Sequence, residues 1–344
     1  MRRLPAGKTT SFDIAFFAGV SQPTVSRALR GDKAVSIKTR DKIQQIAREL
    51  NYTVDKNASS LRSQRANTIA LLFFEDPTPD GSMINPFFLA MLGSITRAAS
   101  ARGLDLLISF QQMEDDWHTR YQDSRRADGL ILLGYGDYQH YALRLQQLVR
   151  QGTHFVHWGS MRAGNIGATI GSDNLAAGRM AGEHLLRLGR RRIAFVGPAD
   201  DHYPEFADRY AGLYHALEAA SIPADPELQV DALTSEEDGE AAVRALLAAG
   251  TRFDAIFAAS DLIALGAMRA LTQAGLRIPQ DVAVVGCDNI PLAAFASPPL
   301  TTVMQDVAKA GEALLETLVA QIEGRPFRSH ALPVQLVLRA STGD

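Results

Sequence analysis

A single cysteine, Cys287, stands among 344 residues, so the chain can form no intramolecular disulfide and no cysteine-rich zinc site. The eight histidines show no HExxH or similar ligand spacing; His154 and His157 fall on one apolar run, where packing is expected in place of metal binding. No metal or other cofactor is expected. A P-loop, a GxGxxG following a strand and a GxSxG elbow are also absent, which removes the usual signatures of nucleotide and α/β-hydrolase chemistry. No run approaches the ~20 apolar residues of a membrane span, and the opening MRRLPAGKTTS lacks the apolar stretch of an export signal. The expectation is a cytoplasmic chain with no membrane partner.

Charge is present but unevenly placed. The whole chain carries a formal −3, yet the first 66 residues hold thirteen Lys and Arg against five acids, a net +8, leaving −11 for the remainder. A polyanion would attract the first segment and repel the second. Pattern then gives the basic segment a shape. A helix over Phe12–Ala18 is expected after Thr10 and Ser11, with Asp13 in its first turn and Ile14, Ala15 and Ala18 inward; Gly19 ends it. Ser21 and Pro23 open a second helix that buries Val25, Ala28 and Leu29. Ser36 caps a third, on which Ile37, Ile43, Ile46, Ala47 and Leu50 face inward. Two short helices joined by a tight glycine turn are the helix-turn-helix pattern. On its middle helix Gln22, Thr24, Ser26 and Arg27 stay outside the core, at the end that enters a major groove. Gln and Arg can pair bidentately with adenine and guanine, whereas Ser21, Ser36 and Thr39 at helix starts suit phosphate oxygens.

The run AGVSQPTVSRALRGDKAVSIKTRDKIQQIARELNY resembles the head of the lactose/galactose repressor (LacI/GalR) family, whose pattern is AGVSxxTVSRxLN followed by VSxxTRxxVxxAxxELxY. The resemblance implies that Gln22, Pro23 and Arg27 read bases and that Thr10, Ser21, Ser36, Thr39 and Tyr52 contact the DNA backbone. Pro23 has no donor and can offer only apolar or shape contact. The following VDKNASSLRSQRANT reads by composition as a linker; the resemblance makes it a hinge helix in which Ala58 and Leu61 meet the minor groove, Leu61 as an apolar wedge. Ser59 stands where the family commonly has Arg. The resulting division is a DNA-binding head at 8–54, a hinge at 55–66 and an effector-binding domain at 67–344.

From Asn67 onward, short apolar runs alternate with amphipathic helical stretches, the pattern of a doubly wound parallel α/β fold. Strands are expected at Thr68–Phe74, Leu104–Phe110, Gly129–Gly134, His154–Trp158, Arg192–Gly197, Ala255–Ala259 and Val282–Gly286. Helices are expected at Phe88–Arg102, Leu175–Leu188, Tyr210–Ala220, Glu236–Ala249 and Leu262–Ala274. These 278 residues exceed one compact core, so two lobes are expected, and ligands belong beyond the carboxyl ends of the strands. Asp261 is read as capping the helix it opens.

NPFF at Asn85–Phe88, RYAG at Arg209–Gly212, AASDLIALGAMRALTQAGLRIPQDVAVVG and PPLTTVMQD again resemble the family in its own order. The resemblance implies two periplasmic-binding-protein-like lobes, the first about 67–166 with 304–332, the second about 167–303 with 333–344. It implies an effector cleft lined by Phe87, Phe88, Trp158, Ser172, Arg209, Thr234, Ser260, Asp288 and Gln305. Aromatic faces with Arg and Asp suit a sugar or oligosaccharide, since rings stack on a pyranose and charged groups bond to vicinal hydroxyls. Asp200, Asp201, His202, Tyr203 and Glu205 add polar and aromatic groups before Arg209. The expected protein is a repressor that binds double-stranded palindromic operator DNA as a homodimer under control of a small carbohydrate. With no heptad extension after Leu338, a dimer is expected over a coiled-coil tetramer. The alternative is a sugar-processing enzyme using Asp288 and Glu205, with the head as an accessory.

Overall fold

The computed structural model describes residues 9–29, 31–52, 65–76, 81, 83–223 and 225–343, in two units, 1–66 and 67–344. The hinge positions Ala58 and Leu61 lie outside the described residues.

The head is three helices, α1 (Ser11–Ala18), α2 (Gln22–Leu29) and α3 (Ile37–Glu49). Thr10 and Asp13 form a reciprocal capping box at the start of α1, and Gly19, at φ 70°, supplies the left-handed turn that ends it. Ile14, Ala18, Val25, Ala28, Val35, Ile43 and Ala47 make the core. Ile37 is 73% exposed, contrary to its expected inward face. It lies six residues before Ile43, which at about 3.6 residues per turn is well off the buried stripe; Val35, in the preceding turn, fills the core instead. Lys42 Nζ donates to the Ala18 carbonyl at 2.8 Å and Thr9 Oγ1 to that of Leu50 at 3.0 Å, so α3 is tied to both ends of α1.

The larger unit holds two six-stranded sheets. The first contains β1 (Thr68–Phe73), β2 (Asp105–Phe110), β3 (Gly129–Leu133), β4 (Phe155–Trp158), β5 (Ala168–Ser172) and β11 (His330–Leu332), all parallel, in the order β11-β5-β4-β3-β1-β2. The second contains β6 (Ile193–Val196), β7 (Gln229–Val230), β8 (Ala255–Ala258), β9 (Ala283–Asp288), β10 (Thr301–Gln305) and β12 (Val334–Val337), in the order β12-β10-β9-β8-β6-β7, with β12 alone antiparallel. Along β1, Ile69, Leu71 and Phe73 enter one core while Ala70 and Leu72 enter another. Burial of both faces explains why such strands read as unbroken apolar runs.

In each sheet the strand order reverses beside the first strand, between β1 and β3 and between β6 and β8. The loops after those strands are therefore where an open α/β sheet leaves a crevice. The chain passes between lobes after β5, after β10 and between β11 and β12. The first crossing falls after Ser172, later than the expected 166/167, because β5 pairs with β4 and β11 in the first sheet. The second follows Gln305 rather than preceding 304, because β10 pairs with β9 and β12.

Helices cover both sheets: α4 (Pro86–Ala101), α5 (Tyr138–Gln151) and α11 (Val307–Ile322) on the first, α6 (Asn174–Arg187), α7 (Pro204–Ala219), α8 (Glu236–Ala248), α9 (Asp261–Gln273) and the short α10 (Pro291–Phe295) on the second. α6 and α7 touch backbone to backbone. A Cβ on Gly178 would stand 1.8 Å from the Arg209 carbonyl oxygen, and one on Gly212 would stand 2.1 Å from that of Leu175. Only glycine permits that approach, and it fixes the turn of α7 carrying Arg209.

Candidate nucleic-acid interface and interlobe site

On the head, Gln22, Pro23, Ser26 and Arg27 share one face of α2 by helical spacing, with Pro23 and Arg27 exposed. Gln22 is half-buried and its Nε2 donates to Ser11 Oγ at 3.1 Å, so its amide is held against α1. The hydroxyls at helix starts are engaged locally. Ser36 accepts from the Thr39 amide at 3.2 Å, the Ser36 and Thr39 hydroxyls pair at 2.8 Å, and those of Ser21 and Thr24 pair at 2.8 Å. Thr10 is spent on Asp13, and Tyr52 packs partly beneath the helices. Arg27 and Pro23 are thus the most outward of the expected base-reading positions.

In the larger unit the expected site residues converge on the strand ends. Arg209 is fully buried: Nε donates to Asn174 Oδ1 at 2.9 Å, Nη1 to the Ala259 carbonyl and Nη2 to the Tyr135 hydroxyl at 3.3 Å. Asp288 Oδ1 lies 3.9 Å from its guanidinium and accepts from Gln305 Nε2 at 2.5 Å; the same Nε2 reaches Tyr135 Oη at 3.1 Å. Burial pushes the Asp288 carboxyl up to about 6, with Arg209 and Gln305 opposing the rise. Asp288 has φ 116° and Asn289 φ 55°, uncommon for residues with a Cβ. This strained turn is braced from below. Asp261 accepts from the Ile290 amide at 2.8 Å and the Thr302 hydroxyl at 2.6 Å, while Arg339 donates to Asn289 at 2.7 Å. Asp261 does not cap its helix as expected; Ser260 does, accepting from the Ile263 amide at 3.3 Å.

Tyr135 is the residue that sequence reasoning missed. It follows β3 between Gly134 and Gly136, and its ring stacks on Phe87 at 6.1 Å, meets Phe88 at 4.8 Å and Phe206 at 5.2 Å, and carries the Arg209 guanidinium over its face at 5.6 Å. The signal was available: an aromatic between two glycines at the end of a buried strand must be held by something beyond the sheet. Phe87 also meets Trp158 at 5.8 Å, which brings Phe87, Phe88 and Trp158 into one aromatic wall. Thr234 sits elsewhere on the crevice, its hydroxyl bonding to Asp76 after β1; burial pushes that carboxyl up to about 7. Several buried polar atoms here make no hydrogen bond within the protein: Asp76 Oδ2, Asn85 Nδ2, Ser172 Oγ and Gln305 Oε1. Such atoms cost about 1–3 kcal/mol each unless a partner meets them.

The lobes are also clasped at their rim. His202 Nδ1 lies 2.9 Å from Asp137, the Ser160 amide donates to Glu205 at 3.0 Å, and Arg162 reaches Asp208 at 2.8 Å and Asp201 at 2.6 Å. Asp201, His202 and Glu205, read as part of the ligand cluster, are therefore engaged with the loops after β3 and β4. Cys287 is a packed thiol, buried behind Asp288, with its pKa raised by that burial. His157 is likewise internal, bonded to Thr169 at 2.8 Å and pushed down to about 4. Among the described residues no group of three or more His, Cys, Asp or Glu could hold a metal, and no helix is long and apolar enough to cross a membrane.

Comparison with known proteins matches these features to two family models: bacterial regulatory proteins of the lacI family over residues 12–55 and a periplasmic binding protein-like domain over 183–342. The HTH-type transcriptional regulator CelR of Thermobifida fusca is 33% identical over 94% of this chain and 94% of its own. A solved complex of CelR with cellobiose covers 97% of this chain and 99% of that one at 31% identity and a TM-score of 0.71. The lac repressor dimer bound to operator and the anti-inducer ONPF covers 98% and 99% at 27% identity, with a TM-score of 0.81. The enzyme alternative is not favoured by these relatives, which are regulators. The chain belongs to the LacI family of bacterial regulatory proteins and is a DNA-binding transcriptional regulator, not an enzyme.

Proposed function

We propose that the protein is a cytoplasmic homodimeric repressor whose two heads occupy the half-sites of a palindromic operator and whose interlobe cleft binds a small carbohydrate. The observation that carries this reading is the buried Arg209–Asp288–Gln305 cluster beyond the strand ends of the second sheet, where Arg209 and Gln305 meet the Tyr135 hydroxyl of the first lobe. The second lobe contributes these charged and amide groups, and the first contributes the Tyr135 hydroxyl and an aromatic wall of Phe87, Phe88 and Trp158 beside them. Ser172, Thr234 and Ser260 complete the proposed cleft, although the Ser260 hydroxyl already caps α9. CelR in complex with cellobiose supports a sugar as effector, and the lac repressor dimer on its operator supports the DNA partner and the symmetry. One reading helix per groove needs a two-fold mate to define a half-site spacing.

The mechanism is a linkage between two states. A sugar that prefers one lobe arrangement shifts the population toward it, and the arrangements differ in how well two hinge segments, each with Ala58 and Leu61, can pair on the minor groove. Coupling of about 1–3 kcal/mol changes operator affinity by one to two decades. Gln22, Pro23, Thr24, Ser26 and Arg27 are assigned to the major groove, and Thr10, Ser21, Ser36, Thr39 and Tyr52 to phosphates. The test is selection of a DNA site from random sequence by the purified protein, followed by anisotropy titration. A palindromic site with steep salt dependence and an affinity altered by a sugar that is recovered intact supports the reading. Selection of no site, or consumption of the sugar, overturns it.

A further inference from the structure

Ser11 opens α1 and Gln22 opens α2, and the packing of the two helices brings these side chains together. The Thr10–Asp13 capping box fixes the first turn of α1, while Ile14 and Ala15 share the core of the head with Val25 of α2. Ser11 Oγ is thereby held on a fixed helix end, and Gln22 Nε2 donates to it at 3.1 Å. The pair is 11 residues apart in sequence, so only the fold creates the contact.

A side-chain amide has two donor hydrogens on its nitrogen and an acceptor oxygen. With one hydrogen on Ser11, the Gln22 amide cannot turn over without giving up that bond. Among the described residues the Gln22 side chain makes no other hydrogen bond, which leaves one N–H and Oε1 for a partner. One donor beside one acceptor complements the major-groove edge of adenine, where N7 accepts and the N6 amine donates. Guanine presents two acceptors there, N7 and O6, and offers Oε1 nothing. The amide turned over would put Nε2 and its donors outward, the pattern that guanine accepts. Nothing else in this turn can set the preference in its place: Pro23, exposed beside Gln22, has no N–H and no polar side-chain atom, and the Thr24 hydroxyl is paired with Ser21 at 2.8 Å.

We infer that Ser11 is a positioning residue for base recognition: its hydroxyl fixes the orientation of the Gln22 amide, so that Gln22 selects adenine over guanine at one position of each half-site. The inference rests on the reading of the head as the operator-binding unit and adds to it a residue of α1 that acts through Gln22. Ordering the amide before DNA arrives also spares part of the rotamer freedom that a glutamine gives up on binding. The preferred base is thus set partly from outside the reading helix.

The test is selection of DNA sites from random sequence by the full chain, read as base preference at every position, for the wild type, Gln22→Ala, Ser11→Ala and Ser11→Thr. Gln22→Ala marks the position that Gln22 reads, as the one whose preference it abolishes. There the wild type should favour adenine over guanine by about fivefold or more. Ser11→Ala should bring the two bases within about twofold of each other while the other positions keep their preferences. Ser11→Thr, which keeps a hydroxyl, should retain the adenine preference. If Ser11→Ala fails to fold by circular dichroism, Ser11→Val set beside Ser11→Thr decides, since the two differ only in a methyl for the hydroxyl. An adenine preference that survives loss of the hydroxyl, an even loss of affinity across all sequences, a wild-type preference for any other base at that position, or no position altered by Gln22→Ala overturns the inference and leaves operator binding standing. Selection of no site by the wild type overturns the operator reading itself and this inference with it.

Discussion

Replacing Arg209 by methionine keeps a long apolar stem in the space while removing the guanidinium. Asp288 then loses a cation 3.9 Å away, and the Asn174 side chain, the Ala259 carbonyl and the Tyr135 hydroxyl lose their donor, all in a region without solvent. Breaking a buried pair from one side costs about 3–5 kcal/mol, against ~0–1 for an exposed pair. For a unit of this size each kcal/mol is worth about 2–4 °C, so the melting midpoint should fall by on the order of 10 °C near neutral pH. The pH dependence carries its own sign. Burial raises the Asp288 carboxyl from the ordinary 3.8 to about 6 in the folded protein, so the folded state binds the extra proton. The stability this group contributes is fully present below the lower value and is lost as pH rises through the upper one. Without Arg209 the folded value climbs further and the loss extends to higher pH. Circular dichroism melts should therefore show a smaller deficit near about pH 5 than near about pH 8, and Arg209→Met with Asp288→Asn should recover much of the difference. Equal melting midpoints for variant and wild type, or a deficit that grows toward acid, would refute the assignment of Arg209 and Asp288 as a mutually dependent buried pair.

Other outcomes follow from the same geometry. Asp76, pushed up to about 7 by burial, destabilises the fold as pH rises from about 4 through about 7; Asp76→Asn should flatten the melting profile across that window, and an unchanged slope contradicts it. Arg27→Ala should cost about 1–3 kcal/mol of operator affinity and relax preference at one base position, whereas a uniform loss on all sequences would make Arg27 a phosphate contact. Leu61→Ala should weaken operator binding while sugar affinity measured by calorimetry stays within about twofold; equal loss of both removes the wedge assignment.

How much could be read beforehand depended on what each residue had to satisfy. Strands such as Ile69–Phe73 were legible because both faces are apolar. Ala168–Ser172 and Thr301–Gln305 were not, since these strands, each paired on both sides, carry Thr, Gly and Ser in buried positions, with the Thr169 and Thr301 amides met by the hydroxyls of Ser329 and Ser341. α7 begins at Pro204, ahead of the expected Tyr210, because its first turn is apolar on one side only through Phe206 and otherwise faces the clasp. The resemblance led to Arg209, Asp288 and Gln305, which the fold brings together. Tyr135 and the bracing role of Asp261 escaped because both depend on partners more than 25 residues away, Arg209 and Gln305 for one, Ile290 and Thr302 for the other. Spacing along one element cannot report such contacts.

In the proposed mechanism one protein links a sugar site to a DNA site, and linkage is reciprocal. The most direct measurement is the affinity of the effective sugar by calorimetry, with and without saturating operator, set beside operator affinity by anisotropy with and without saturating sugar. The same factor is expected from both, about 5- to 150-fold, in the same direction. A sugar that binds tightly yet leaves operator affinity unchanged, or two factors that disagree, would contradict it.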